Sequence, residues 1–261
     1  MLPIVDKPAI QYVIEEAVQS GLSEILIITA RGKRAIEDHF DRNLGLEHDQ
    51  PSSAMREMQV FAELLDQVSI YYIRQKDHRG LGHAVLTAEE FVNDEPFSVM
   101  LGDDLTFGQS PCQRALLDVH VKRSASVIAV QHVEREVIGR YGMVVGKEEG
   151  DGLFKVEEII EKPKPDEASS TLATLGRYVF TPGIFSHLRK TTPDERGEVQ
   201  LTDAIESLLK QEDVYAFRFD GRRYDVGDKV GWLRANVELA AKRPDLSEAV
   251  RRMLEEFANS R

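Results

Sequence analysis

The chain has 261 residues, 42% of them hydrophobic, with 33 basic against 45 acidic side chains and a net charge of −12. That length holds one large α/β domain or two ordinary ones around a sizeable core, and the acidic balance argues against a general nucleic-acid binder, whose phosphate partner needs clustered cations. Ordinary glycine and proline counts (18 and 10), with no internal period, exclude collagen-like, solenoid and low-complexity classes.

Over residues 8–20 the apolar Ile10, Val13, Ile14 and Ala17 fall at helical spacing, Pro8 suits a first turn and Gly21 a stop. Residues 24–30 carry the run Ile25-Leu26-Ile27-Ile28, which predicts a strand buried on both faces, as in a parallel sheet covered by helices. A helix is predicted over 33–40, and the polar stretch 41–53, holding Gly45 and Pro51, reads as a mobile surface segment. Then come a helix over 55–65, a strand over 69–73, a helix over 83–91 and a strand over 97–101. Such alternation with short connections predicts a parallel, doubly wound sheet whose ligands sit beyond the carboxyl ends of the strands. From residue 124 onward the character changes: 127–133, 143–145, 154–160 and 175–180 are strand-like with few helices between, which predicts a mixed or antiparallel half. A strand over 214–219 and helices over 201–209, 230–241 and 246–257 complete the pattern. The fold class is therefore α/β, one Rossmann-like domain with a mixed sheet over 1–261, divided into 1–123, a substrate-side subdomain over 124–229 and C-terminal helices over 230–261.

Cys112 is the only cysteine, which excludes an intrachain disulfide or cysteine-cluster zinc site and suits a reducing compartment, so the cytoplasm is expected. No run approaches the roughly 20 apolar residues of a membrane span, and residues 1–6 lack the features of a secretion signal, so neither a membrane nor nucleic acid is expected as a partner. A small polyanion remains compatible with the charge, because a few Lys or Arg and a divalent ion can neutralise it locally.

Four places offer chemistry. Gly80-Leu81-Gly82-His83 follows the 69–73 strand, with Gln75 between; its glycines let backbone N–H groups approach a ligand, or they make a plain strand-to-helix turn. Gly102-Asp103-Asp104 closes an apolar strand, where a carboxylate can meet a magnesium ion held by substrate phosphates, or can simply cap a helix or turn. Asp225, in Tyr224-Asp225-Val226-Gly227, precedes a helix and has the same two readings; both aspartates are expected at strand-to-helix junctions. Glu161-Lys162-Pro163, with Gly176-Arg177-Tyr178 further on, pairs a carboxylate suited to vicinal sugar hydroxyls with a point charge for a phosphate, or is an exposed ion pair.

Together with Met1 to Pro8, Tyr141-Gly142 and Gly197 to Asp203, these segments resemble the bacterial UTP:glucose-1-phosphate uridylyltransferases, a branch of the sugar-nucleotide pyrophosphorylases. The motifs keep the family's order along nearly the whole chain. The resemblance implies the nucleotide-diphospho-sugar transferase type of fold and the formation of UDP-glucose and pyrophosphate from UTP and glucose 1-phosphate. It places the uracil at Gln75 and Gly80, glucose at Gly142, Glu161 and Gly176, the sugar phosphate at Lys162, and magnesium at Asp103 and Asp225. It also implies a homodimer or homotetramer. A second class stays open, a non-catalytic relative that binds a sugar nucleotide or modulates a complete uridylyltransferase.

The chain departs from the family's pattern at its start, where the resemblance has a strand and a glycine-rich loop with Gly-Thr-Arg and Pro-Lys ahead of Met1. Without them a central strand would be lacking, its neighbours would keep unpaired edges, and turnover would be slow. Lys162, Arg177, Lys229 and Lys7 would be the cations left to meet a triphosphate.

Overall fold

The computed structural model describes residues 1–41 and 53–260. Pro3–Ile4 (β1) and Lys7–Pro8 (β2) form a short hairpin, and α1 (Ala9–Gln19) starts directly after Pro8, whose fixed φ suits a helix entry. Helix α1 serves two apolar clusters. Its Ala9 and Val13 join Ile4, Leu105 and Tyr224, while Ile14 joins Ile27 and Phe40.

Next come β3 (Glu24–Thr29), α2 (Arg34–Phe40), α3 (Ser53–Leu65) and β4 (Ser69–Arg74). β3 and β4 pair in parallel from Glu24 opposite Ser69 to Thr29 opposite Arg74. The stretch predicted mobile over 41–53 lies, apart from its two end residues, outside the described residues. The helix predicted over 83–91 is in fact two, α4 (Gly80–Leu86) and α5 (Glu89–Val92), with the chain tightening between them as the Ala88 N–H donates to the Val85 carbonyl at 3.0 Å.

Phe97–Met100 (β5), Asp104–Phe107 (β6), Cys112–Arg123 (α6) and Ser126–His132 (β7) follow. Gly142–Gly150 (β8), Leu153–Glu161 (β9) and Leu172–Phe180 (β10) come next. Ile184–Leu188 (α7), Leu201–Leu208 (α8), Val214–Arg218 (β11), Arg222–Asp225 (β12), Lys229–Lys242 (α9) and Ser247–Asn259 (α10) close the chain. The main sheet runs β5-β10-β7-β11-β9-β8; only β7 and β11 are parallel in it, and β10 also meets β8. Alternation divides the core between its faces. Ile128 and Val130 pack under α8 with Ala204 and Ile205, while Val127 and Ala129 pack under α6 with Cys112 and Leu116.

The α/β class with a mixed sheet is as expected, but the first half is not one parallel sheet. β3 and β4 stand as their own pair, and β5 joins antiparallel β10 instead. Among the described residues β3 pairs only with β4 and β5 only with β10. A separate antiparallel pair, β6 with β12, sets Asp104 opposite Asp225. No helix among the described residues is long and apolar enough to cross a membrane.

Candidate active site

Asp103 and Asp104 are neighbours with opposite environments. Asp103 is exposed in the turn from β5 to β6, a strand-to-strand junction rather than the strand-to-helix junction expected, because Leu105 continues inward as the next strand. Its carbonyl accepts the Val226 N–H at 2.8 Å, which draws the end of β12 alongside. Asp104 is buried, and its Oδ1 receives Arg223 Nε at 2.6 Å. Burial pushes the Asp104 carboxyl up to about 6, with Arg223 pulling it back and the charge of Asp103 adding to the rise.

Asp225 ends β12. A Cβ placed on Gly227 would lie 3.0 Å from Asp103 Oδ2 and 3.3 Å from Asp225 Oδ1, so the two carboxylates face one another across a space that the glycine keeps open. Among the described residues no group of three His, Cys, Asp or Glu side chains could hold a metal ion. Two carboxylates fit magnesium, which takes one or two from protein and completes its shell with phosphate and water. The second oxygen of Asp225, Oδ2, accepts the Tyr141 hydroxyl at 2.9 Å and Arg140 Nη2 at 3.2 Å. Burial, with Asp225 beside it, raises the Tyr141 phenol against the opposing charge of Arg223, so the hydroxyl stays a donor. Asp228 caps α9 by accepting the Gly231 N–H at 3.0 Å, and that bond holds its carboxyl below the usual range.

The hairpin of β8 and β9 sets Gly142 opposite Glu161. Glu161 Oε2 accepts the Thr202 hydroxyl at 3.0 Å, and Lys162 Nζ lies 3.0 Å from Oε1. A Cβ on Gly142 would sit 2.8 Å from Thr202 Cγ2 and 3.4 Å from Glu161 Oε2, so only glycine leaves this floor clear. Lys162 takes φ +45°, its N–H held by the Tyr141 carbonyl at 3.1 Å, and its side chain is 51% exposed. Thr202, at the start of α8, is a site partner that sequence reading placed only within a longer motif.

Gln75 lies just past the end of β4, where its N–H donates to the Thr29 carbonyl at 2.9 Å. Its side-chain amide meets the Gly80 carbonyl at 3.3 Å and His83 Nδ1 at 2.9 Å. Gly80 takes φ +86°, and a Cβ on it would come within 2.9 Å of the Val199 carbonyl, so this turn rests on the segment that leads into Thr202. The structure thus links three groups: Gln75 with Gly80, Gly142 with Glu161 and Lys162, and Asp103 with Asp225. Gly176, φ +63° in β10, lies behind them; a Cβ there would be 2.6 Å from Asp104 Oδ2.

Two of the cations expected to meet phosphate are committed elsewhere. Arg177 is 0% exposed and donates from Nε and Nη2 to Glu16 Oε2, at 3.1 and 2.8 Å. Lys7 is paired with Glu15 at 2.7 Å and lies 4.3 Å from the centre of the Tyr12 ring. Both line an open cavity of about 400 Å³ between α1 and the turn after β6, which none of the grouped site residues reaches and whose charges neutralise one another.

The nucleotidyl transferase family model matches residues 1–242. The UTP–glucose-1-phosphate uridylyltransferase YngB of Bacillus subtilis (strain 168) is 44% identical over 260 residues, covering 98% of this chain and 86% of that protein. A UTP–glucose-1-phosphate uridylyltransferase of Streptococcus pyogenes is 44% identical over 253 residues, covering 95% and 83%. Among solved structures, an apo UDP-glucose pyrophosphorylase superposes with a TM-score of 0.90 at 36% identity, covering 93% of this chain and 90% of that one. The UTP-bound UGPase of Acinetobacter baumannii does so at 0.84 and 32%, covering 98% and 90%. The chain belongs to the nucleotidyl transferase family, in the branch of the UTP–glucose-1-phosphate uridylyltransferases.

Proposed function

We propose that the protein transfers the uridylyl group of UTP to glucose 1-phosphate, forming UDP-glucose and pyrophosphate. The observation that carries this reading is the glycine-spaced pair Asp103 and Asp225, joined through Tyr141 to Glu161 and Lys162. That adjacency supports reading the carboxylate pair as the seat of a phosphate-bound metal and the Glu161 end as the seat of a sugar phosphate. The relatives bear the uridylyltransferase name, and one structural neighbour is a UDP-glucose pyrophosphorylase complexed with UDP-glucose.

In this reaction a phosphate oxygen of glucose 1-phosphate attacks the α-phosphorus of UTP. The new P–O bond forms as the bridge to the β-phosphorus breaks, and pyrophosphate leaves. The protein supplies position and charge rather than a covalent intermediate. Gln75 and Gly80 take the uracil edge, Gly142 flanks the glucose with the buried Gly176 behind it, and Glu161 accepts from its hydroxyls. Lys162, half exposed beside Glu161, swings its ammonium to the sugar phosphate. Asp103 and Asp225 would hold magnesium, which when bound would neutralise phosphate charge. Residues 1–123 then serve the nucleotide, 124–229 the sugar, and 230–261 assembly.

A homodimer or homotetramer is supported by α10, whose Met253, Leu254 and Phe257 are 42%, 44% and 68% exposed on one stripe. Cytoplasmic work suits the single buried cysteine and these substrates.

Pyrophosphate release from UTP and glucose 1-phosphate with magnesium tests the reading. Asp103→Asn is expected to slow it by at least about 100-fold, the usual scale for losing one charge-stabilising group. Full magnesium-dependent turnover in that variant, or no UDP-glucose from the unaltered chain, would refute it.

A further inference from the structure

We infer that Tyr141 is a positioning residue for the metal carboxylate, its hydroxyl fixing Asp225 so that one chosen oxygen is offered to the divalent ion. The inference rests on the reading of Asp103 and Asp225 as the magnesium pair. Asp225 has two oxygens with different surroundings: Oδ2 holds the Tyr141 hydroxyl at 2.9 Å, while Oδ1 is the atom beside the open space at Gly227, on the side of Asp103. A carboxylate free to rotate would present either oxygen. One locked by a short hydrogen bond on Oδ2 presents Oδ1, which is how outer partners orient metal ligands.

The tyrosine is itself held in place. The Arg223 guanidinium lies 4.4 Å from the centre of its ring, and Arg223 is fixed in turn by Asp104 Oδ1 at 2.6 Å. The Tyr141 carbonyl accepts the Lys162 N–H at 3.1 Å, and Gly142 is the next residue. One side chain and its own backbone therefore tie the sugar end to the metal carboxylate, Tyr141 and Asp225 being 84 positions apart along the chain. Arg140 also reaches Asp225 Oδ2, at 3.2 Å, but it spans to Asp228 Oδ1 at 3.4 Å as well and is 42% exposed, so it acts as a loose counter-charge rather than a fixed seat.

Manganese serves as a spectroscopic probe of the metal position. Free Mn²⁺ is followed by electron paramagnetic resonance during titration of the full chain with UDP-glucose present, and UDP-glucose affinity is measured separately in EDTA. Tyr141→Phe keeps the ring on Arg223 and removes only the hydroxyl. It should weaken Mn²⁺ binding about 10-fold or more, leaving metal-free UDP-glucose affinity and the melting temperature unchanged. Asp225→Asn should abolish the binding, and Arg140→Gln should leave it equal or tighter. Mn²⁺ affinity unchanged in Tyr141→Phe but lost in Asp225→Asn would overturn the role of Tyr141. Binding absent in the unaltered chain, or indifferent to Asp225→Asn, would overturn the magnesium reading beneath it. A loss in Arg140→Gln alone would move the positioning role to the arginine.

Discussion

Replacing Glu16 by Gln is the most direct probe of what holds the carboxylate turn in place. Arg177 is wholly buried, and Glu16, itself 7% exposed, supplies its counter-charge. Its guanidinium also donates to the carbonyls of Leu101 at 3.2 Å, Gly176 at 3.1 Å and Asp104 at 2.7 Å, which are the backbone on either side of Asp103 and behind it. Glu16 is equally committed, since it accepts from the Gln113 N–H at 3.0 Å and the Thr106 hydroxyl at 2.8 Å. Glutamine has the same shape, but its single oxygen cannot serve both sides. Its NH₂ must face either the guanidinium or the Gln113 N–H, donor against donor, and the positive charge is left uncompensated. Breaking one member of a buried pair costs about 3–5 kcal/mol. In a protein of this size that lowers the melting temperature by roughly 6–20 °C. Urea unfolding followed by fluorescence and circular dichroism would measure it. A loss below about 1 kcal/mol for Glu16→Gln would show that the pair is not what fixes this turn.

Two further variants separate the roles assigned at the sugar end, and one tests the buried aspartate. Glu161→Ala should raise the KM for glucose 1-phosphate and relax sugar choice, on the scale of about 1–3 kcal/mol for an unpaired polar contact. Lys162→Ala should lower kcat more than KM, because charge on the transferring group matters most in the transition state; equal, small effects on UTP alone would dissolve the division. For Asp104, burial raises the folded carboxyl to about 6, so between the ordinary carboxylate range and that value the folded chain holds a proton that the unfolded chain has released. Its contribution to stability therefore falls as pH rises through that window, on the order of 2–3 kcal/mol in all. The difference in unfolding free energy between wild type and Asp104→Asn, measured at pH 4.5 and 6.5, should change by that order. A difference flat with pH would mean that Arg223 outweighs burial.

Long periodic segments were legible in the sequence for a physical reason: α1, β3, β7, α9 and their like repeat one signal over enough residues to stand out. β6 and β12 were missed because four residues each, Asp-Leu-Thr-Phe and Arg-Arg-Tyr-Asp, carry at most two inward apolar side chains, and they gain a strand's geometry only from pairing with each other far along the chain, Arg222 with Phe107 through Asp225 with Asp104. Helix α6 was missed because its apolar residues do not form one stripe: Cys112 and Leu116 face the core while Val121 is 77% exposed. The same divide runs through the site. Asp103, Glu161 and Asp225 stood out as candidates because short motifs mark them, whereas the contacts of Tyr141, Arg223 and Thr202 are with partners far along the chain, which no local pattern encodes even where a motif contains the residue. Arg177 shows what strand parity could have supplied. It shares the face of Leu175 and Val179 in β10, both buried under α6, so a cation at that position is buried with them. A buried guanidinium needs a carboxylate, and the acidic residues of α1, the helix packed beside α6, were the place to look. Glu15 and Glu16 are adjacent there, and the helical turn separates them: Glu16 lies inward on Arg177 and Glu15 outward on Lys7. Both cations are thereby paired off away from the grouped site residues, whereas Lys162 and Lys229, the other two cations expected to meet phosphate, stay exposed.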